Sequence, residues 1–128
     1  MAPNEIQIRT GVCSFDAYGM LRVTMRPGVE ETLADAQEGF RAITVLRGTQ
    51  RPPLLVDMRG MKSQDREARQ FYGSPAVIQS VAAVALLVES RVSMLIANFF
   101  ITITKTRVPT KIFNAEAEAR TWLEGYMQ

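Results

Sequence analysis

The amino-acid sequence predicts an α/β fold, with a mostly parallel five-stranded sheet that opens on an antiparallel hairpin and is covered by helices. Three observations carry this expectation. Leu54–Val56 and Val81–Val88 are continuous apolar runs, as found in interior strands covered on both faces. Segments of helical periodicity lie between and beyond these runs. Strands alternating with helices imply parallel pairing through right-handed crossovers.

The elements follow in order. Ile6, Ile8 and Val12, interleaved with Gln7 and Arg9, have strand spacing, which places Cys13 on the opposite face from them. After the turn Asp16-Ala17-Tyr18-Gly19 the alternation returns as Leu21, Val23 and Met25, so the two runs read as a hairpin ended by Pro27-Gly28. Thr32 with Asp35 three residues on forms a variant capping box. Val29, Leu33, Ala36, Phe40 and Ile43 then make one apolar helical stripe, with Gly48 as its stop. Behind Pro52-Pro53 comes the first buried strand. Ser63 is placed to cap a short helix reaching about Tyr72, and Ser74-Pro75 starts another. In the second buried strand, Val84, Leu86 and Val88 face one way, Ala83, Ala85 and Leu87 the other. Ser90 caps a helix from about Arg91 to Thr104. Pro109 to Phe113 forms a last strand, and Asn114 caps a final helix with Ala115, Ala119, Trp122, Leu123 and Tyr126 on one side. Neither repeat nor linker interrupts residues 1–128, so one domain is expected.

Composition excludes several chemistries. The chain has no histidine and a single cysteine, which removes Ser-His-Asp and Cys-His nucleophiles, imidazole metal sites and an internal disulfide. Carboxylate or lysine chemistry at the carboxyl edge of the sheet stays open, but no catalytic residue, metal or cofactor is implied. The net charge of +2 comes from basic residues scattered near acids, not gathered on one face, so nucleic acid is not an expected partner. The apolar stretch around Met94 to Ile103 is shorter than the ~20 residues of a membrane span. The first residues lack the basic-then-apolar pattern of a signal peptide. A cytoplasmic location is the expectation.

The run from Val56 through Trp122 resembles the SpoIIAA-like group, the STAS-related domains first known as anti-sigma factor antagonists, and within it the bacterial branch described as STAS/SEC14-like. The residues behind this are Leu55-Val56-Asp57-Met58-Arg59, then Ser63 and Glu67-Ala68-Arg69, and Val84-Ala85-Leu86-Leu87-Val88 followed by Ser90. Asn98-Phe99-Phe100, Val108-Pro109-Thr110-Lys111-Ile112-Phe113 and Glu118-Ala119 before Trp122-Leu123 complete the set, with Thr32-Leu33 and Asp35-Ala36 upstream. The resemblance implies a right-handed β/α superhelix and a binding or regulatory role. In the antagonists a serine at the start of the helix after the central strand is phosphorylated. Here Asp65-Arg66-Glu67-Ala68 stands in the comparable place and Ser63 is shifted from it, so that switch is not carried over.

Ligands of open α/β sheets bind beyond the carboxyl ends of the strands. Asp57, Arg59, Ser63, Glu89, Ser90 and Arg91 are the candidate residues there, as a charged cluster or simply as paired surface charges and helix caps. The helix from Arg91 to Thr104 is apolar over more than one stripe, which fits a core helix, a pocket wall or a homodimer seam; Met94, Asn98 and Phe99 are its candidate contact residues. Acid pairs such as Glu30-Glu31 and Glu116-Glu118 read as helix N-terminal chemistry. Two functions follow: a non-catalytic STAS-like interaction or regulatory module that self-associates or binds another protein, and a carrier or sensor with an apolar pocket for a small molecule or lipid.

Overall fold

A computed structural model describes residues 4–105 and 107–127. Three antiparallel strands, β1 (Glu5–Ile8), β2 (Gly11–Phe15) and β3 (Leu21–Met25), form a meander. Beyond it lie a two-residue strand β4 (Glu30–Glu31) and helix α1 (Leu33–Arg47). Next come β5 (Leu54–Asp57), the short β6 (Ser63–Gln64), α2 (Arg66–Tyr72) and α3 (Pro75–Ile78). The chain continues through β7 (Val84–Leu87), α4 (Arg91–Thr104), β8 (Thr110–Phe113) and α5 (Glu116–Glu124).

The main sheet has the order β1-β2-β3-β5-β7-β8, with β3, β5, β7 and β8 parallel. The two apolar runs lie side by side in register from Leu54 opposite Val84 to Asp57 opposite Leu87. Both faces of this centre are covered. Leu54, Val84, Leu86 and Val88 join the core that contains Ala42 of α1, Ile78 of α3 and Ile96 of α4. Leu55, Ala85 and Leu87 pack on the other side with Ala119 and Leu123 of α5. Among the described residues no helix is long and apolar enough to cross a membrane.

The sheet has six strands, not the five expected, because the run read as one strand from Ile6 to Val12 turns back at Arg9-Thr10. Gly11 permits this tight return: a Cβ there would lie 1.9 Å from the Thr24 carbonyl oxygen on the neighbouring strand. The turn also reverses the facing of Cys13. It pairs with Ile6 and Val23 and is fully buried among Ile8, Val23 and their neighbours, instead of opposing the isoleucines.

Helix starts were partly legible. Thr32 and Asp35 form the reciprocal capping box on α1, and Ser90 forms one with Ser93 on α4. Ser63, expected to cap α2, lies instead in β6 opposite Glu30, and Asp65 caps the helix by accepting from the Ala68 N–H at 2.8 Å. Ala115, not Asn114, takes the N-cap position of α5.

The β4–β6 ladder is parallel and sits beyond the carboxyl ends of β3 and β5. The Gly28 N–H donates to the Gly60 carbonyl at 2.7 Å and the Lys62 N–H to Val29 at 2.8 Å, so the two loops zip together. Strand alternation then leaves Glu30 exposed and turns Glu31 inward, 2% exposed.

Candidate functional site

Between the first face of the sheet and helices α1 to α4 lies a cavity of about 90 Å³. The sheet supplies Val23, Leu54, Val56, Val84 and Leu86; the helices supply Phe40, Ile43, Ile78, Ile96 and Phe100; Met58 and Met61 close it from the loop after β5. Val56 stands in the middle of the sheet yet is only half-buried, as expected for a side chain with no partner atoms on its cavity side.

One end of this cavity is polar. The walls there include Glu31, Gln64, Tyr72 and Asp35. The Gln64 amide donates from Nε2 to Glu31 Oε1 at 2.9 Å, and the Tyr72 hydroxyl donates to Oε2. Burial drives the Glu31 carboxyl above its ordinary range; the two hydrogen bonds oppose the shift, while the charges of Asp35 and Asp65 add to it. Asp35 behaves in the opposite way. The Arg9 fork and Thr32 hold its carboxyl down at about 2, against the effect of burial. Gln64 Oε1 is buried and accepts no hydrogen bond from the described residues, an unmet acceptor of the kind native structures rarely keep.

A second polar group occupies the carboxyl edge of the sheet. Asp57, at the end of β5, accepts from Arg59 Nε at 3.0 Å and Nη2 at 2.8 Å, and from Arg22 Nη2 at 3.2 Å. Arg22 also donates to Glu116 at 2.9 Å. Burial alone would raise the Asp57 carboxyl, but the Arg59 hydrogen bonds and charge, with Arg22, outweigh it and hold it below its ordinary value. Each carboxylate thus has a guanidinium, a satisfied ion network.

The structure divides the residues singled out from the sequence. Asp57 and Arg59 do meet, and the Glu89 charge reaches Arg59. Ser90 is engaged in capping, and Arg91 and Ser63 are exposed. Met94, Asn98 and Phe99 lie on the outer face of α4, away from the cavity, which this helix lines with Ile96, Phe100 and Thr104. Sequence reading missed Glu31, Gln64 and Tyr72, and also Arg22 and Glu116. Glu31 does not serve a helix N-terminus, as its place in the sequence suggests, but sits in a strand before α1 and points inward. Nothing local distinguishes it from Glu30; only the pairing with β6 does.

The fold is SpoIIAA-like. Over 93% of this chain and 90% of the other, it is similar to a protein of the DUF3478 family from Shewanella loihica PV-4 described as having that fold, with 14% identity and a TM-score of 0.58. The chain belongs to the family described as Domain of unknown function (DUF7793), whose sequence model matches residues 15–127. It is also similar to a protein with unknown function from Arthrobacter sp. FB24, at 33% identity over 94% of this chain and 98% of that one, with a TM-score of 0.36. No curated protein matches the chain.

Proposed function

We propose that this domain is a non-catalytic binding module whose cavity takes a small apolar molecule. The observation that carries the reading is the void itself. Protein interiors are packed like organic crystals, and an unfilled space of 90 Å³ costs about 2 kcal/mol at ~24 cal/mol per Å³. A ligand that fills it recovers that loss. The volume is several times the ~10–15 Å³ that one water needs, and away from the polar end most of the walls offer water few partners. Met58 and Met61 supply flexible, polarizable side chains that adapt to an entering group. Native mass spectrometry of protein purified from cells, followed by a toluene titration watched by NMR, tests the proposal. An adduct, or shifts centred on Val56 and Ile96, supports it. An empty protein whose core methyls ignore toluene overturns it.

A second reading, an interaction module that pairs with another copy of itself, is favoured by the outer face of α4. Val92, Met94, Leu95 and Phe99 are all more than two-fifths exposed there, with the Arg69 guanidinium over the Phe99 ring, and clustered apolar exposure is of the type that marks interfaces. Light scattering of the wild type and a Phe99→Glu variant tests it. A dimer mass that the variant halves supports self-association, and identical monomer masses remove it.

A further inference from the structure

We infer that the molecule this cavity takes is an apolar amine, its ammonium group held at Glu31 with Gln64 beside it. The inference rests on the cavity-binding reading above and adds the chemical class of the ligand.

The unmet requirements at the polar end are of one kind. Glu31 is 2% exposed, and its two hydrogen bonds come from neutral donors, the Tyr72 hydroxyl and the Gln64 amide. The neighbouring charges that act most on it are two further carboxylates, Asp35 and Asp65. Arg9 is already committed to Asp35. A buried carboxylate without a cation is an expensive arrangement. Beside it, Gln64 Oε1 is a buried acceptor with no donor among the described residues. A ligand group that answers both must donate hydrogen bonds and carry positive charge. An alcohol offers one donor and no charge; a carboxylate or phosphate would add repulsion; a primary ammonium offers three donors and the missing charge. Apart from Asp35, Ser80 and Thr104 the remaining walls are apolar, so most of the rest of the molecule must be apolar. The cavity is smaller than the ~150 Å³ engineered void that takes benzene, so the apolar part is limited to a short chain or to one small ring that enters as the flexible Met58 and Met61 side chains give way.

The test is calorimetric titration of the wild-type protein at pH 7 with four probes of one shape: benzylamine, benzyl alcohol, benzoate and toluene. Benzylamine is expected to bind about tenfold or more tighter than toluene and benzyl alcohol, since hydrogen bonds to charged groups are the strong ones, and benzoate is expected not to bind. In the Glu31→Gln variant the advantage of the amine over toluene should vanish. If toluene or benzyl alcohol binds as well as benzylamine, or benzoate binds best, the amine inference is overturned while the cavity reading stands. If none of the four binds, both are overturned. The comparison among probes on the wild type needs no variant, so a Glu31→Gln protein that fails to fold does not rescue the idea.

Discussion

The hydroxyl of Tyr72, at the last turn of α2, donates a hydrogen bond to the carboxyl of Glu31, a residue 41 positions earlier in the chain. This contact joins the β4–β6 ladder to the helix that follows it and defines the polar end of the cavity. Burial raises the Tyr72 phenol well above its ordinary value, and the nearby Glu31 charge adds to the effect. Tyr72 therefore stays protonated, and a donor, at neutral pH.

Glu31 is expected to set the slope of stability against pH above the ordinary glutamate value of 4.5. Burial, with Asp35 and Asp65, raises its carboxyl in the folded state. The folded protein thus holds that proton more tightly than the unfolded chain does. The stabilisation is complete below pH 4.5 and declines as pH rises through the folded value. Urea unfolding between pH 4.5 and 8 should show the decline, and a Glu31→Gln protein should lose it. Parallel curves for the two proteins would contradict this account of the site.

The Arg9–Asp35 pair acts in a separate window. With its folded value held at about 2 against an ordinary 3.8, Asp35 adds stability that is full above pH 3.8 and is lost as pH falls toward 2. An Arg9→Met substitution removes the first cause of that depression. NMR titration of Asp35 should then find its carboxyl titrating at higher pH, and acid unfolding should begin earlier. An unchanged titration would show that Thr32 alone holds the carboxylate.

Cys13 should be inert in the native protein. Its side chain is fully buried, and burial pushes the thiol up to about 11, so thiolate is scarce at neutral pH. Labelling with a thiol reagent at pH 7.5 is expected to proceed only as fast as the domain opens, and to become rapid in urea. Fast modification of the folded protein would mean that the meander is not packed as described.

At the sheet edge, Asp57→Ala should leave the Arg22 and Arg59 guanidiniums without their shared acceptor and cost about 1.5–3 kcal/mol of stability. Asp57 is 6% exposed and lies outside the cavity wall. Binding of toluene, where measured, should therefore be unaffected. A change in midpoint without a change in probe affinity is the expected pattern in denaturant and calorimetric titrations.

Much of the architecture was legible because it depends on local pattern. The runs at Leu54–Val56 and Val81–Val88 are apolar on every residue, and the structure covers both faces of β5 and β7. The Thr32–Asp35 box and the Ser90 cap announce helices through side chains that accept from backbone N–H groups only three residues on. Errors arose where one residue changes the register. A single glycine at position 11 splits the first run into two strands and turns Cys13 inward. Asp65 wins over Ser63 as a cap because residues 63 and 64 are drawn into a ladder with Glu30 and Glu31.

The sequence by itself determined the α/β class, the parallel pairing of the two buried runs and the absence of imidazole chemistry, since these follow from composition and short-range periodicity. Only the tertiary structure decided which polar residues are buried together. Glu31, Gln64 and Tyr72 come from three separate elements, and Arg22, Asp57 and Glu116 from three others. Their meeting is set by strand register and helix placement, and the void beside Glu31 exists only in the space those helices leave above the sheet.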